Sequence, residues 1–272
     1  STQTILNAAN AVISNNIGRK SKSLWTDNGE GEKVNYTLYE NGYDEAEGVA
    51  SDIAEYVRDG WNYNDVAILY RTNAQSRALE EKLMIHNIPY KIYGGQNFYQ
   101  RKEIKDILAY LKTIDNGLDG QAVKRIINVP KRGIGNTTID RLQEYADFND
   151  ITFWEALVNA KDIDTIKNAA LSKLEPFVDL IGRLRAKEEF MSLKELAEAV
   201  IEDTGYIESL SQNETVEEVE ARRENLDEFI NKVVSYEESC KEAGEEPTLS
   251  GLLEEVALIA DIDNLDESEP HV

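Results

Sequence analysis

Apolar positions in the first hundred residues follow two spacings in turn. Three segments repeat apolar side chains every three or four positions, as amphipathic helices do: residues 2–15, 44–60 and 74–87. Three shorter stretches between and after them predict strands: VNYTLYE (34–40), DVAILYR (65–71) and IPYKIYGG (88–95). Helices that alternate with strands are typical of an α/β fold with a parallel sheet. We therefore expect an α/β unit at residues 1–98.

The strand signals stop after Gly95, and helical spacing continues almost to the end of the chain. Eight helices are predicted there: residues 101–114, 120–129, 137–146, 152–160, 166–190, 192–205, 215–244 and 248–261. This change predicts an all-α domain over residues 99–260. The acidic, proline-containing end, residues 261–272, is predicted to be a disordered linker.

The α/β unit offers fewer strands than an open sheet of this class normally has. Three strands compare with the roughly five or six of an average sheet, so we expect that part of this unit is missing. The sequence also contains no phosphate-binding loop of the form G-x-x-x-x-G-K-[ST]. We therefore predict that this chain on its own hydrolyses no ATP.

Composition limits the candidate chemistry. No apolar run approaches the roughly 20 residues of a membrane-spanning helix. Cys240 is the only cysteine, which excludes an internal disulfide and fits a reducing, cytoplasmic location. Its two histidines form no ligand cluster, and no metal site is expected. A formal charge of −23 and a pI near 4.5 argue against binding nucleic acid through overall charge.

One segment departs from this acidic average. Between residues 121 and 142 the cations Lys124, Arg125, Lys131, Arg132 and Arg141 face a single acid, Asp140, a local balance of 5 − 1 = +4. Within it lies NVPKRGIGNTT, residues 128–138, which we call the cationic turn. Glycines at 133 and 135 permit positive φ and close backbone approach. Asn136 or Thr137 is expected to cap the helix that follows.

Two interpretations of the cationic turn remain open. In the first, free N–H groups of the turn and of the helix start point outward beside Lys131 and Arg132, and together they hold a phosphate. Such contacts fix position on a duplex without recognising bases. In the second, the glycines only form a tight helix–turn–helix corner, and the acidic helical surface is a regulatory module that docks protein partners.

Several segments resemble the PcrA/UvrD/Rep class of superfamily 1 DNA helicases, in the order that the class has them. PKRGIGNTTIDRL (130–142) is similar to its helix–hairpin–helix element, and AILYRTNAQSRALEE (67–81) to a motif of its second motor lobe. Three further segments match in the same order: STQTILNAAN (1–10), IYGGQNFYQRKEIKDILAYL (92–111) and RRENLDEF (222–229). These matches span nearly the whole chain.

The resemblance implies a layout and an activity. Residues 1–98 would be the first part of the RecA-like lobe 2A, 99–260 the inserted domain 2B, and 261–272 a linker back to 2A. The parent protein would be an ATP-dependent 3′–5′ DNA helicase of repair and replication that uses ATP and Mg. Because the first motor lobe is not in this chain, no cofactor and no catalytic residue are expected here.

The resemblance also implies site residues. Duplex DNA would be bound by the cationic turn through Lys131, Arg132, Gly133, Ile134, Gly135, Thr137 and Thr138. Single-stranded DNA would meet Arg71 and Asn73, which follow a predicted strand; from the sequence alone, Asn73 is a helix cap and Arg71 a solvated cation. Gly94 and Gly95, where 2A gives way to 2B, would form a hinge.

Overall fold

The computed structural model describes residues 1–15, 23–212, 214–262 and 270–272 of the chain. These residues form two compact units, Ser1–Glu45 and Ala46–Val272. Their helices, in chain order, are α1 (Gln3–Ile13), α2 (Gly42–Arg58), α3 (Ser76–Ile85), α4 (Lys102–Asp115), α5 (Gly120–Ile126), α6 (Asn136–Asn149), α7 (Phe153–Val158), α8 (Asn168–Glu188), α9 (Leu193–Asp203), α10 (Tyr206–Leu210), α11 (Val216–Ala243) and α12 (Leu249–Ile262). Short 3₁₀ turns lie between several of them.

The first unit is built around α1. The helix start is held by a neighbouring loop, because the N–H groups of Gln3 and Thr4 each donate to a loop carbonyl at 3.1 Å. The side chain of Asn10 bonds both backbone groups of Leu24 at 3.1 Å. These polar contacts matter because α1 has no buried residue.

The predicted α/β sheet is wrong: the described residues contain helices, turns and extended segments, and no strand. Residues 34–38 and 66–70 are not helical, as their spacing predicts, but no strand pairs with them in the described residues. Val66 alone among them makes a backbone hydrogen bond there, to the Tyr63 carbonyl at 3.1 Å. Leu69, for example, is 93% exposed. In the segment at 88–93, two backbone bonds of 2.9 Å join Pro89 and Lys91 to Val272, and the Ile88 N–H donates to the Leu83 carbonyl at 2.8 Å. Apolar alternation indicates an extended backbone, whereas a sheet also requires a neighbouring strand.

The helices after residue 100 agree closely with the spacing that predicts them. Capping boxes at Thr152, Ser192 and Thr215 start α7, α9 and α11, each with a glutamate three positions later. The predicted pattern missed α10, which is only five residues long. Residues 263–269 of the predicted linker lie outside the described residues, and the domain boundary at 98/99 stays a prediction.

The main core lies among the helices of the second unit. Apolar stripes on α4, α5, α8, α9 and α11 meet there, and the largest fully buried side chains include Phe98, Tyr110, Phe177, Tyr206 and Phe229. A smaller apolar cluster joins Ala50 and Ile53 of α2 to Leu83 and Ile88. The cationic turn, between α5 and α6, is attached directly to the larger core.

Candidate nucleic-acid interface

The cationic turn begins after α5 ends at Ile126 and finishes where α6 begins at Asn136. Gly133 is its left-handed residue, with φ of +71°. Gly135 is the N-cap of α6 with extended backbone, φ −80° and ψ 153°, and it supplies no side-chain cap. The prediction that Asn136 or Thr137 caps the helix is therefore wrong by one or two positions. Because the N-cap is a glycine, no N-cap side chain accepts hydrogen bonds from the first N–H groups of α6.

Asn128 determines the path of the turn from within. Its Oδ1 accepts hydrogen bonds from the N–H groups of Arg132 and Ile134, both at 3.1 Å. Its Nδ2 donates to the carbonyl of Ile134. An irregular segment lacks the regular backbone hydrogen bonds of a helix or sheet. The Asn128 amide supplies hydrogen bonds in their place and links residue 128 to a residue six positions later.

Arg132 points into the protein. Its Nη1 donates to the carbonyls of Ile126 at 2.9 Å and of Ile127 and Pro130 at 3.3 Å, which caps the C-terminus of α5. Its Nη2 donates to the Tyr110 hydroxyl at 2.7 Å. The guanidinium also stacks over the Phe177 ring, 4.9 Å from its centroid.

Tyr110 completes this internal brace. Its side chain is fully buried, and its hydroxyl donates to the carbonyl of Val129 at 2.5 Å. Burial raises the pKa of the Tyr110 phenol, although the Arg132 charge beside it works in the opposite direction. The phenol therefore stays protonated and keeps donating to the turn while it accepts from Arg132.

Ile134 has no group left for a ligand. Its side chain is 5% exposed and belongs to the main core, and Asn128 satisfies both its N–H and its C=O. In this geometry Ile134 anchors the turn to the core, and it offers no free group for the DNA contact that the resemblance implies. On the other side of the turn, the carbonyl of Gly133 accepts a hydrogen bond of 2.8 Å from Nζ of Lys173 on α8.

A different set of groups faces solvent. Lys131 is exposed, and its ammonium has no ion-pair or hydrogen-bond partner in the part of the chain that the structure describes. Within the same described residues, no acceptor lies in range of the N–H groups of Gly135, Asn136 and Thr137. The Thr138 N–H is the first to be satisfied, by the Gly135 carbonyl at 2.9 Å. Free donors and one free cation thus occur together at a helix start.

Most cations of the segment 121–142 are engaged within the protein, so less of its +4 charge can bind a ligand than the sequence implies. Arg125 pairs with the buried Asp106 at 2.7 Å, and Arg141 donates to the Thr165 carbonyl at 2.7 Å. Lys124 lies over the Phe153 ring at 5.2 Å. Sequence position alone does not distinguish these engaged cations from Lys131.

The second candidate segment, Tyr70–Asn73, is held by local contacts. Oε1 of Gln75 accepts from the N–H groups of Arg71 at 2.8 Å and Thr72 at 3.1 Å. The helical cap is therefore Thr72, with Gln75 three positions later, and the expected cap Asn73 instead opens a 3₁₀ turn. Arg71 and Asn73 are both exposed, and their side chains have no hydrogen-bond partner among the described residues.

Tyr70 and Asn73 also line a groove of about 610 Å³ in the second unit. The extended segments 66–70 and 90–93 form much of its wall. Burial raises the pKa of the Tyr70 phenol, with the Glu80 carboxylate as a second cause. Asn73 lines this groove, and Arg71 lies between two of its lining residues in the sequence. Both residues are far from the cationic turn in the sequence.

One of the two glycines of the predicted hinge has a left-handed backbone, and the hinge itself stays a prediction. Gly94 has φ of +76° and open space around it, whereas a Cβ at Gly95 would lie 3.2 Å from Cγ2 of Ile92. A few residues later the chain is firmly attached to α3. The N–H of Phe98 donates to the Glu80 carboxylate at 3.1 Å, and the Tyr99 hydroxyl donates to Glu81 at 2.6 Å.

These two glutamates belong to a buried polar network that the sequence pattern did not indicate. Arg77 pairs with Glu81 at 3.0 Å and with Glu228 of α11 at 2.7 Å. Arg101 donates to the hydroxyl of Ser76 at 2.7 Å and to Asn225 at 2.9 Å. The sequence feature that could have indicated this network is the high density of charged residues in α3. The polar face of α3 is buried beside α11 and is not solvated.

Comparison with known proteins gives these features a context. The family described as UvrD-like helicase C-terminal domain matches residues 1–272. The chain belongs to this family. The ATP-dependent DNA helicase PcrA of Staphylococcus aureus (strain Mu50 / ATCC 700699) is 46% identical over 266 residues, which are 98% of this chain and 36% of that protein. The PcrA of Staphylococcus epidermidis (strain ATCC 12228 / FDA PCI 1200) is 44% identical over the same coverage.

The match to the UvrD-like family confirms the helicase resemblance. The chain spans about a third of the length of the curated relatives it matches. The assignment of its parts to lobe 2A and domain 2B stays a prediction, as do the roles of the individual site residues. In the described parts of the chain, no helix is long and apolar enough to cross a membrane. Within the same limits, no group of three or more metal-ligating side chains occurs.

Proposed function

We propose that this chain is the DNA-binding portion of an ATP-dependent 3′–5′ DNA helicase. In this proposal the cationic turn holds backbone phosphates of the duplex, and Arg71 and Asn73 contact the single strand. The whole protein would be a cytoplasmic helicase of DNA repair and replication, and it would bind ATP and Mg. The support at the level of the family is the UvrD-like match and relatives named ATP-dependent DNA helicase.

The observation that carries the duplex contact is the group of free donors at the start of α6. The N–H groups of Gly135, Asn136 and Thr137 are exposed and without acceptors among the described residues. They lie at the positive end of a helix of 14 residues, and Lys131 adds an unpaired ammonium nearby. Phosphate oxygens match both kinds of donor.

The geometry also supports a contact without base recognition. Backbone N–H groups are short and fixed, so they reach the phosphates at the surface of a duplex and do not reach the base edges in its grooves. The chain as a whole has a formal charge of −23, so its surface outside the turn repels DNA. Binding at the turn would therefore be independent of sequence and limited to one part of the surface.

The proposed single-strand contact rests on exposed side chains beside a groove. Arg71 and Asn73 are exposed neighbours whose side chains have no partner among the described residues, and Tyr70 beside them lines the groove of about 610 Å³. A cation, an amide and an aromatic ring are the groups that bind phosphate, sugar and base in single strands. Gly94 would serve as the adjoining hinge.

A salt titration tests the proposed duplex contact. The affinity of the chain for a short duplex is measured at several salt concentrations, for the wild type and for Lys131→Ala. Each phosphate contact contributes about 0.9 to the slope of log K against log salt, so Lys131→Ala should lower the slope by about that amount. Lys241→Ala, at an exposed lysine in the last turn of α11, is the matched control and should leave the slope unchanged.

The same titration separates this function from a purely protein-docking role. If the chain were a regulatory module with a structural corner, the wild type would show no salt-dependent affinity for duplex DNA. A wild-type slope that Lys131→Ala leaves unchanged would instead show that DNA binds elsewhere on the chain.

A further inference from the structure

We propose that Lys173 of α8 is the second cation of the duplex site and that Arg132 is a positioning residue that does not touch phosphate. This inference rests on the proposed duplex contact of the cationic turn. It replaces Arg132, which is adjacent to Lys131 in the sequence, with a lysine that lies forty residues after Gly133. The reasons are the direction in which each side chain points and the number of donors each has left.

The donors of Arg132 are already committed. Nη1 bonds three carbonyls at 2.9–3.3 Å, and Nη2 bonds the buried Tyr110 hydroxyl at 2.7 Å. One face of the guanidinium covers Phe177. The Ile126 carbonyl also accepts from the Val129 N–H at 2.9 Å, but the carbonyls of Ile127 and Pro130 have no other donor among the described residues. Turning the side chain outward to a phosphate would leave those two carbonyls without a donor and would open the packing on Phe177. Arg132 therefore keeps the turn in shape from the inside.

Lys173 has the opposite arrangement. It is exposed, and its Nζ uses one of three ammonium donors on the Gly133 carbonyl at 2.8 Å. No carboxylate pairs with it in the described parts of the chain. Gly133 lies two positions after Lys131 and two before Gly135, so the Lys173 ammonium is at the middle of the turn. Two donors and a full positive charge remain for an oxygen ligand.

Gly133 lies at this contact. Its φ of +71° is a left-handed backbone that favours glycine, and a Cβ built there would be in van der Waals contact with Nζ of Lys173, at 3.4 Å. The glycine that sequence reasoning associates with close approach of DNA is thus also the point at which α8 meets the turn. The site contains groups from three elements: the turn, the start of α6 and the first half of α8.

Salt slopes distinguish the two cations, because the slope of log K counts phosphates neutralised and does not depend on the fraction of protein that is folded. Lys173→Gln keeps a donor and loses the charge, so it should lower the slope by about 0.9, which is a change of about 3.5-fold in the salt response between about 50 and 200 mM. Lys173→Arg should restore the wild-type slope.

Arg132→Lys and Arg132→Gln should both weaken duplex binding at every salt concentration and leave the slope at its wild-type value, because neither removes a phosphate contact. Lys241→Gln is the control for loss of one exposed charge. Thermal unfolding of each variant reports whether the turn remains folded.

Each outcome decides the assignment. A wild-type slope in Lys173→Gln would overturn the role of Lys173, and a slope lowered by about 0.9 in Arg132→Gln would return the second phosphate to Arg132. If the slope of the wild type itself were zero, the proposed duplex contact would fail together with this inference. If only Lys173→Gln keeps the wild-type slope while Lys131→Ala lowers it, the duplex contact survives without Lys173.

Discussion

The cationic turn and the segment Tyr70–Asn73 are both short, polar and exposed, but they are held in different ways. The turn is braced by side chains distant in the sequence, with Tyr110 and Phe177 around Arg132 and Lys173 on Gly133. Tyr70–Asn73 is fixed by one local residue, Gln75.

This difference matches the two ligands that we propose. A duplex is a stiff partner with regularly placed phosphates, so a preorganised turn binds it without ordering costs. A single strand is flexible and has no fixed shape, so a loosely held segment with free side chains adapts to it. The stability of each segment should therefore respond differently to the same type of substitution.

The largest contrast is expected between two arginines. Arg132→Ala removes the donor of the Ile127 and Pro130 carbonyls and of the hydrogen bond to the Tyr110 hydroxyl, and we expect a loss of about 2–4 kcal/mol in the free energy of unfolding. Arg71→Ala should leave the free energy of unfolding unchanged, because its side chain has no partner among the described residues. Chemical denaturation of both variants provides the measurement. Equal stabilities would show that the internal brace does not hold the turn.

Two asparagines should show a smaller contrast. Asn128→Ala leaves the N–H groups of Arg132 and Ile134 without an acceptor in a partly buried loop, which should cost about 1–3 kcal/mol. Asn73→Ala removes an exposed amide and should not affect the midpoint of denaturation. Thermal unfolding monitored by circular dichroism checks both. A destabilised Asn73→Ala would mean that Tyr70–Asn73 has internal support that is absent from this structure.

The smallest contrast lies within the turn, between its two glycines. Gly133→Ala places a Cβ at φ +71° and should cost about 1–2 kcal/mol. Gly135→Ala is free of this strain, because its φ is −80° and the space around it is open. The loss of a favourable N-cap and the smaller entropy of the unfolded chain should nearly cancel there. A midpoint for Gly135→Ala as low as that of Gly133→Ala would contradict the backbone described here.

Local signals in the sequence predicted where most helices lie, but they did not predict which distant segments pack or pair together. Helical spacing and capping residues such as Thr152 and Ser192 act within a few positions, so the helices after residue 100, except the five-residue α10, were predictable to within a few residues. Strand pairing depends on distant chain segments, and the alternation at 34–40 and 65–71 carried no information about a partner. The sheet prediction failed for that reason.

The candidate site shows the same division. The glycine-containing turn and its cations could be located from the sequence, because composition and spacing are local. Which cation points outward could not be predicted, because the direction of Arg132 depends on Tyr110 and Phe177. Lys173 was not identified because only the fold brings α8 to Gly133. The buried face of α3 was missed for a similar reason, since α11 covers Arg77 and Glu81.

The most direct test of the central claim is an NMR titration that follows individual amide protons of the chain. A duplex phosphate held by the turn should shift the amide protons of Gly135, Asn136 and Thr137 downfield, with one affinity common to all three. Addition of single-stranded DNA should instead shift the signals of Arg71 and Asn73. If duplex DNA binds and the amide signals of the turn remain in place, the turn is only a structural corner and the account is contradicted.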